Sequence, residues 1–170
     1  MEHELDLVAI VRTIIDSNTY VTLATADEHG RPWASPVYYT SDEYKEFYWV
    51  SSPQVTHSRN LAKRPELSMV VFNSQVPPGT GQAVYMAAVA EELRGGELDT
   101  GVDIYSRGAE ARGAWRWDPE NVRPPAPYRL YRATVREHSI LCPRNSGQPC
   151  PVHGQAFDHR IAVTLSAHAE

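Results

Sequence analysis

Apolar residues recur along the chain with two periods. Over residues 4–17, Leu7, Val11, Ile14 and Ile15 fall at helical spacing, so this stretch predicts an amphipathic helix ended by Ser17-Asn18. From Tyr20 the pattern turns to β-branched and aromatic residues. Residues 20–25 and 32–40 predict two strands joined by the Asp27-Glu28-His29-Gly30 turn, a hairpin. A third strand is predicted over 46–51. Ser52-Pro53 then reads as an N-cap with proline at the first helical position, opening a short helix over 53–63 that stops near Pro65.

Residues 67–73 predict a buried strand. Residues 82–93 fit a strand or a helix by periodicity, and the Pro77–Gly81 loop before them favours a strand. Residues 96–112 suggest a helix broken at Gly101 and Gly108. A strand over 128–137 follows the stiff Pro124–Pro127 segment, and 160–165 is a last short strand. Strands that outnumber helices, in this order, imply a mainly β fold: a barrel or sandwich with peripheral helices. The chain divides into a main domain over 1–141 and an extension over 142–170 packed on it. Residues 142–157 read as loop.

The chain of 170 residues is long enough for one self-sufficient core. A net charge of −5 argues against nucleic acid as a partner, since such binders usually carry a basic face. No apolar run approaches bilayer length, so no membrane partner is expected. The acidic start Met1-Glu2-His3-Glu4 does not read as a secretory signal, and a cytoplasmic location is the expectation.

Three segments carry a resemblance. They are YVTLATADEHGRPWASPVYY (20–39), SSPQVTHSRNLAKRPELSMVVF (51–72) and PYRLYRATVREHSIL (127–141). The S-R-N-L-x-x-x-P core between two strands is the most specific piece. Together they resemble the pyridoxamine 5'-phosphate oxidase-like superfamily. That likeness covers about Leu5 to Leu141 and implies an antiparallel six-stranded Greek-key split β-barrel. It also implies a homodimer with FMN at the interface and a small-molecule substrate.

A phosphate dianion needs N–H donors, hydroxyls and a cation. Thr56-His57-Ser58-Arg59-Asn60 supplies all three types at a helix start, where unpaired amides attract anions. Arg59 is the first candidate for the phosphate, with His57, Ser58 and Asn60 beside it. Without the resemblance, Arg59 and Asn60 would read as solvated helix-surface residues. By the resemblance, the second and third strands run beneath the flavin ring, which singles out Ala34, Ser35, Pro36 and Val37, and Val50, Ser51 and Ser52. Pro36 lacks an N–H and suits an edge or an interrupted ladder. Gln82 is placed to reach the flavin across the dimer. By the resemblance, Trp115 and Trp117 sit where a helical excursion packs over the partner's cofactor, stacking on the ring or walling off substrate; the alternative is that both are ordinary interface or core aromatics.

The expected activity is an FMN-dependent oxidoreductase acting on a small organic acceptor; no catalytic side chain is singled out. The basic set that pyridoxamine phosphate oxidases use for their substrate is not found here, so that specific activity is not expected. Two alternatives remain. One is a reductase using a deazaflavin coenzyme, disfavoured modestly because His57-Ser58-Arg59 contains no lysine. The other is a non-catalytic flavin- or haem-binding stress or storage protein.

Cys142-x7-Cys150-x2-His153, with His138 nearby, spaces its cysteines more widely than the about two to four residues usual for zinc. No metal is expected; reduced thiols or a local disulfide are, in a loop stiffened by Pro143 and Pro149. Asp158-His159-Arg160 has the residue types to enter a site; as a tail segment it reads rather as a packing strand with exposed polar residues. There is no G-x-S-x-G elbow, and Gly79-Thr80-Gly81 is too short for a dinucleotide fingerprint.

Overall fold

The computed structural model describes residues 6–142, 148–150 and 153–165. The acidic start, the first residues of the predicted N-terminal helix and Pro143 lie outside them. Helix α1 spans Leu7–Ser17, capped by the Asp6 carboxylate, which accepts from the Ala9 amide at 3.0 Å. The strands are β1 (Tyr20–Ala26), β2 (Pro32–Tyr38), β3 (Thr40–Asp42), β4 (Glu46–Ser51), β5 (Glu66–Phe72), β6 (Ala83–Glu92), β7 (Arg129–Leu141) and β8 (Arg160–Val163). Helix α2 (Thr56–Lys63) separates β4 from β5, and α3 (Gly95–Ala111) separates β6 from β7.

All eight strands join one antiparallel sheet in the order β2-β1-β5-β6-β7-β4-β3, with β8 added beside β7. β2 and β3 stand at opposite ends of that order, yet one residue, Tyr39, links them. The sheet must therefore curl until its two edges meet, which makes a split barrel. Tyr39 is fully buried at this seam, its hydroxyl donating to the Ile15 carbonyl. Arg112, just past α3, donates to the carbonyls of Asn18 and Tyr39 and stacks over the Tyr39 ring.

The mainly β, split-barrel reading holds, with eight strands in place of six. The predicted strand over 32–40 bends at Tyr39 and changes sheet edge, and β8 pairs with β7. The predicted break in α3 does not occur. Gly101 and Gly108 lie inside one continuous helix at points of close approach. A Cβ on Gly101 would stand 2.4 Å from Leu93 Cδ1, and one on Gly108 would stand 2.8 Å from Thr40 Cβ. The glycines let α3 lie against the barrel.

Two apolar clusters result. The barrel interior holds Val21, Leu23, Phe47, Trp49, Met69, Met86 and their neighbours, closed by Val11 and Ile15 of α1. A second cluster under α3 joins Leu98, Val102 and Tyr105 to Tyr48, Leu93 and Leu130, with Tyr38, Val50 and Trp117 packed against it. No helix among the described residues is long and apolar enough to cross a membrane.

Candidate functional site

The turn after β4 sets up α2. Ser52 does not cap the helix as predicted. Its hydroxyl accepts from the Gln54 amide at 3.2 Å and its carbonyl from the Val55 amide at 3.3 Å, which delays the helix start to Thr56. The capping position falls to Val55, which has no side-chain acceptor, and the first turn carries no acid. The leading amides thus keep their positive character without an internal anion.

One face of α2 is locked to the barrel. Asn60 is buried and its Nδ2 donates to Thr25 Oγ1 at 3.1 Å. His57 is buried with Nε2 3.0 Å from Ser51 Oγ, and burial holds its pKa below the ordinary value. Ser58 is buried beside the Tyr131 hydroxyl. Arg59 points the other way, exposed, and its side chain makes no hydrogen bond or ion pair among the described residues, although its amide donates to the Val55 carbonyl at 3.1 Å. Of the four candidates on this helix, Arg59 alone presents its side chain to solvent. His57, Ser58 and Asn60 hold the helix in place.

β2 and β4 approach one another across the seam, and α2 packs on β1, β2 and β6, so the three candidate segments share one region. Along β2, Ala34 and Pro36 are exposed, Val37 is buried, and Ser35 is half-buried and accepts from Trp33 Nε1 at 2.9 Å. β2 lies at the end of the sheet, so Pro36 breaks no ladder and part of the strand's backbone remains unpaired. Val50 packs into the second cluster, while Ser51 and Ser52 are half-buried at the approach to α2.

Gln82 lies elsewhere. It precedes β6 at the end of the β5–β6 hairpin away from α2, about 20 Å off along a seven-residue strand. A single chain does not bring it to α2.

Trp117 is anchored at the end of α3. Its backbone exchanges hydrogen bonds with Ser106 Oγ at 3.0 and 2.8 Å, and its ring meets Tyr128 edge-on. Trp115 is 78% exposed. With Glu120, Asn121 and Tyr128 they line an open cleft of about 420 Å³.

The outward face of β2, β1, β5 and β6 is also uncovered. Strand register aligns Ala34 with Ala24, Ser68 and Ala87, and Pro36 with Thr22, Val70 and Tyr85. Tyr20 and Phe72 stand exposed on the same face. Glu137 and Arg160 border it on the β7 side.

A second constellation lies at the end of β7. Cys142, Cys150, His153 and His159 bring four ligand atoms within 4.8 Å of one another. His138 is not among them; its Nε2 lies 2.8 Å from the Tyr44 carbonyl oxygen. The sequence reading missed His159. The available signal was the β7–β8 hairpin, whose register continues from Leu141↔Arg160 to place Cys142 opposite His159.

No curated protein matches this chain in sequence. Among solved structures, a heme binding protein from Mycobacterium smegmatis is similar, at 23% identity and TM-score 0.64 over 91% of this chain; the chain spans 57% of that protein's length. The heme storage protein HutZ from Vibrio cholerae is 16% identical, TM-score 0.59, covering 75% of this chain and 89% of its own. An FAD-binding protein from Mesorhizobium loti is 21% identical, TM-score 0.58, covering 78% and 90%. At such identities these likenesses show the fold. The sequence profile of the pyridoxamine 5'-phosphate oxidase family matches residues 7–142, and the chain belongs to that family.

Proposed function

We propose that the chain binds FMN beside the start of α2, at the interface of a homodimer, and serves as an oxidoreductase for a small organic acceptor. The observation that carries this is α2 itself. Its first-turn amides lack a side-chain cap, and Arg59 is an exposed cation one turn in whose side chain has no partner among the described residues, while Asn60 and His57 fix the helix from beneath. A phosphate dianion is the ligand such a site suits. The unpaired backbone of β2 offers donors and acceptors for a ring's polar edge. Ala34 and Pro36 leave room for a flat surface above; Trp115 and Trp117 line a cleft that shares no residue with α2 or β2, and would wall the flavin of a partner copy. The bound flavin would supply the hydride chemistry; the protein positions it and limits access.

The uncovered face of small and apolar residues on β1, β2, β5 and β6 favours a second copy as partner. The family resemblance assigns Gln82 to the flavin of the partner copy, which fits its distance from α2 within one chain. A haem-binding role has less support. Among the described residues, His57 and His138 are buried in contacts of their own, His153 and His159 face one another, and His29 stands exposed in the β1–β2 turn beside Glu28.

The test is titration of flavin-free protein with FMN, riboflavin, the deazaflavin coenzyme and haemin, followed by difference spectra. FMN is expected to bind well ahead of riboflavin, and Arg59→Ala to weaken FMN alone. A charged hydrogen bond of about 1.5–3 kcal/mol corresponds to roughly ten- to 150-fold. Equal affinities for FMN and riboflavin would remove the phosphate from α2, and tighter binding of haemin would replace the reading.

A further inference from the structure

We propose that Cys142, Cys150, His153 and His159 form a tetrahedral zinc(II) site that clips the end of β7 to the start of β8. Cys142 follows the last residue of β7 and His159 precedes the first residue of β8. The Cys142 amide donates to the His159 carbonyl at 2.8 Å, so these two residues form the last rung of the hairpin. Cys150 and His153 come from the intervening loop. A tight turn, in which the Gly154 amide donates to the Cys150 carbonyl at 2.8 Å with Gly154 at φ +65°, folds them back toward it.

The ligand atoms are gathered near the spacing that zinc requires. Cys142 Sγ and Cys150 Sγ are 3.2 Å apart; His153 Nδ1 is 3.5 and 3.3 Å from them and 3.1 Å from His159 Nε2. Zinc–ligand bonds of ordinary length at tetrahedral angles put two sulfurs about 3.8 Å apart, sulfur and nitrogen about 3.6 Å, and two nitrogens about 3.3 Å. The three distances to His153 Nδ1 fall within a few tenths of an ångström of these figures, the two sulfurs need to part by about 0.6 Å to admit the ion, and all four atoms lie within 4.8 Å of one another, whereas a disulfide uses only two of them.

The surroundings complete the set. His159 Nδ1 lies 3.2 Å from the Phe157 carbonyl, which assigns the hydrogen to Nδ1 and turns the Nε2 lone pair toward the cluster. The His153 amide donates to Cys150 Sγ at 3.0 Å, a contact that favours thiolate. Both cysteines are buried, and the histidines face outward enough to admit the ion. Binding releases two thiol protons to solvent and leaves two thiolates against Zn²⁺, a neutral centre. The clip closes the loop between residues 142 and 159 and pins the four-residue strand β8. Arg160, next to the ligand His159, lies over the Tyr85 ring at 3.5 Å on the uncovered face.

The chain, purified without a histidine tag and dialysed against metal-free buffer, is expected to hold one zinc per chain by plasma mass spectrometry. Exchange with cobalt(II) should give intense tetrahedral bands in the red and a thiolate charge-transfer band in the near ultraviolet. Cys150→Ser and His159→Gln should each lower retained zinc at least tenfold. The wild-type cobalt spectrum stands whether or not either variant folds. The proposal is overturned if zinc-titrated wild type retains well under one equivalent, or if the cobalt spectrum is weak and lacks the thiolate band. A mass two hydrogens lighter than the reduced chain, marking a disulfide, would overturn it as well.

Discussion

Replacing Gly108 by alanine sets two effects of opposite sign against each other. Inside a helix, alanine is favoured over glycine by about 1 kcal/mol. Here the new methyl would lie 2.8 Å from Thr40 Cβ and 2.9 Å from Thr40 Cγ2. Thr40 is buried in the three-residue strand β3, and its Cβ cannot move without the backbone. Overpacking of this kind costs about 1–3 kcal/mol, so the net change is about 0–2 kcal/mol destabilising. For a chain of this size that is a fall in Tm of up to about 8 °C.

Gly96→Ala is the matched control. Gly96 sits in the first turn of the same helix with nothing within 4 Å of the added methyl, so it should gain up to about 1 kcal/mol. Urea melts followed by tryptophan fluorescence, run on both variants, isolate the packing difference. A Gly108→Ala protein stabilised as much as Gly96→Ala would refute the close approach of α3 to β3, and with it the support that α3 lends to Trp117.

Three further outcomes are expected. Asn60→Ala removes the buried bond to Thr25 and should lower stability by about 1–3 kcal/mol in urea melts, whereas Arg59→Ala should leave stability within about 0.5 kcal/mol. Burial depresses the pKa of His57 and His138, so below the ordinary value of 6.5 the unfolded chain takes up protons that the native state refuses. Stability should therefore rise with pH from the depressed native pKa values up to 6.5 and then level off. His57→Gln should shrink that slope, and an unchanged slope would contradict the burial. Trp115→Ala should leave the Tm of flavin-free protein unmoved, because the ring is 78% exposed, while weakening flavin binding; a fall of several degrees would assign the ring to packing.

Local terms made much of the fold legible from the sequence alone. Helix α1, the β1–β2 hairpin at Gly30, the edge position of Pro36 and a short helix before Pro65 each follow from periodicity, turn chemistry or a missing N–H. So does the stretch of candidate phosphate ligands at residues 56–60. What that stretch does was not legible. Polar side chains at four consecutive helical positions read alike, and only packing against β1 and β4 turned His57 and Asn60 inward and left Arg59 outside.

Other features were decided by contacts between residues far apart in the chain. Tyr39 ends one strand and begins another because the sheet has to close on itself there. Gly101 and Gly108 interrupt a helix in isolation but permit one against Leu93 and Thr40. Cys142 and His159, with sixteen residues between them, become neighbours through the pairing of β7 with β8. Sequence spacing measures distance along the chain, whereas the sheet register sets distance in space, and a ligand set depends on the second.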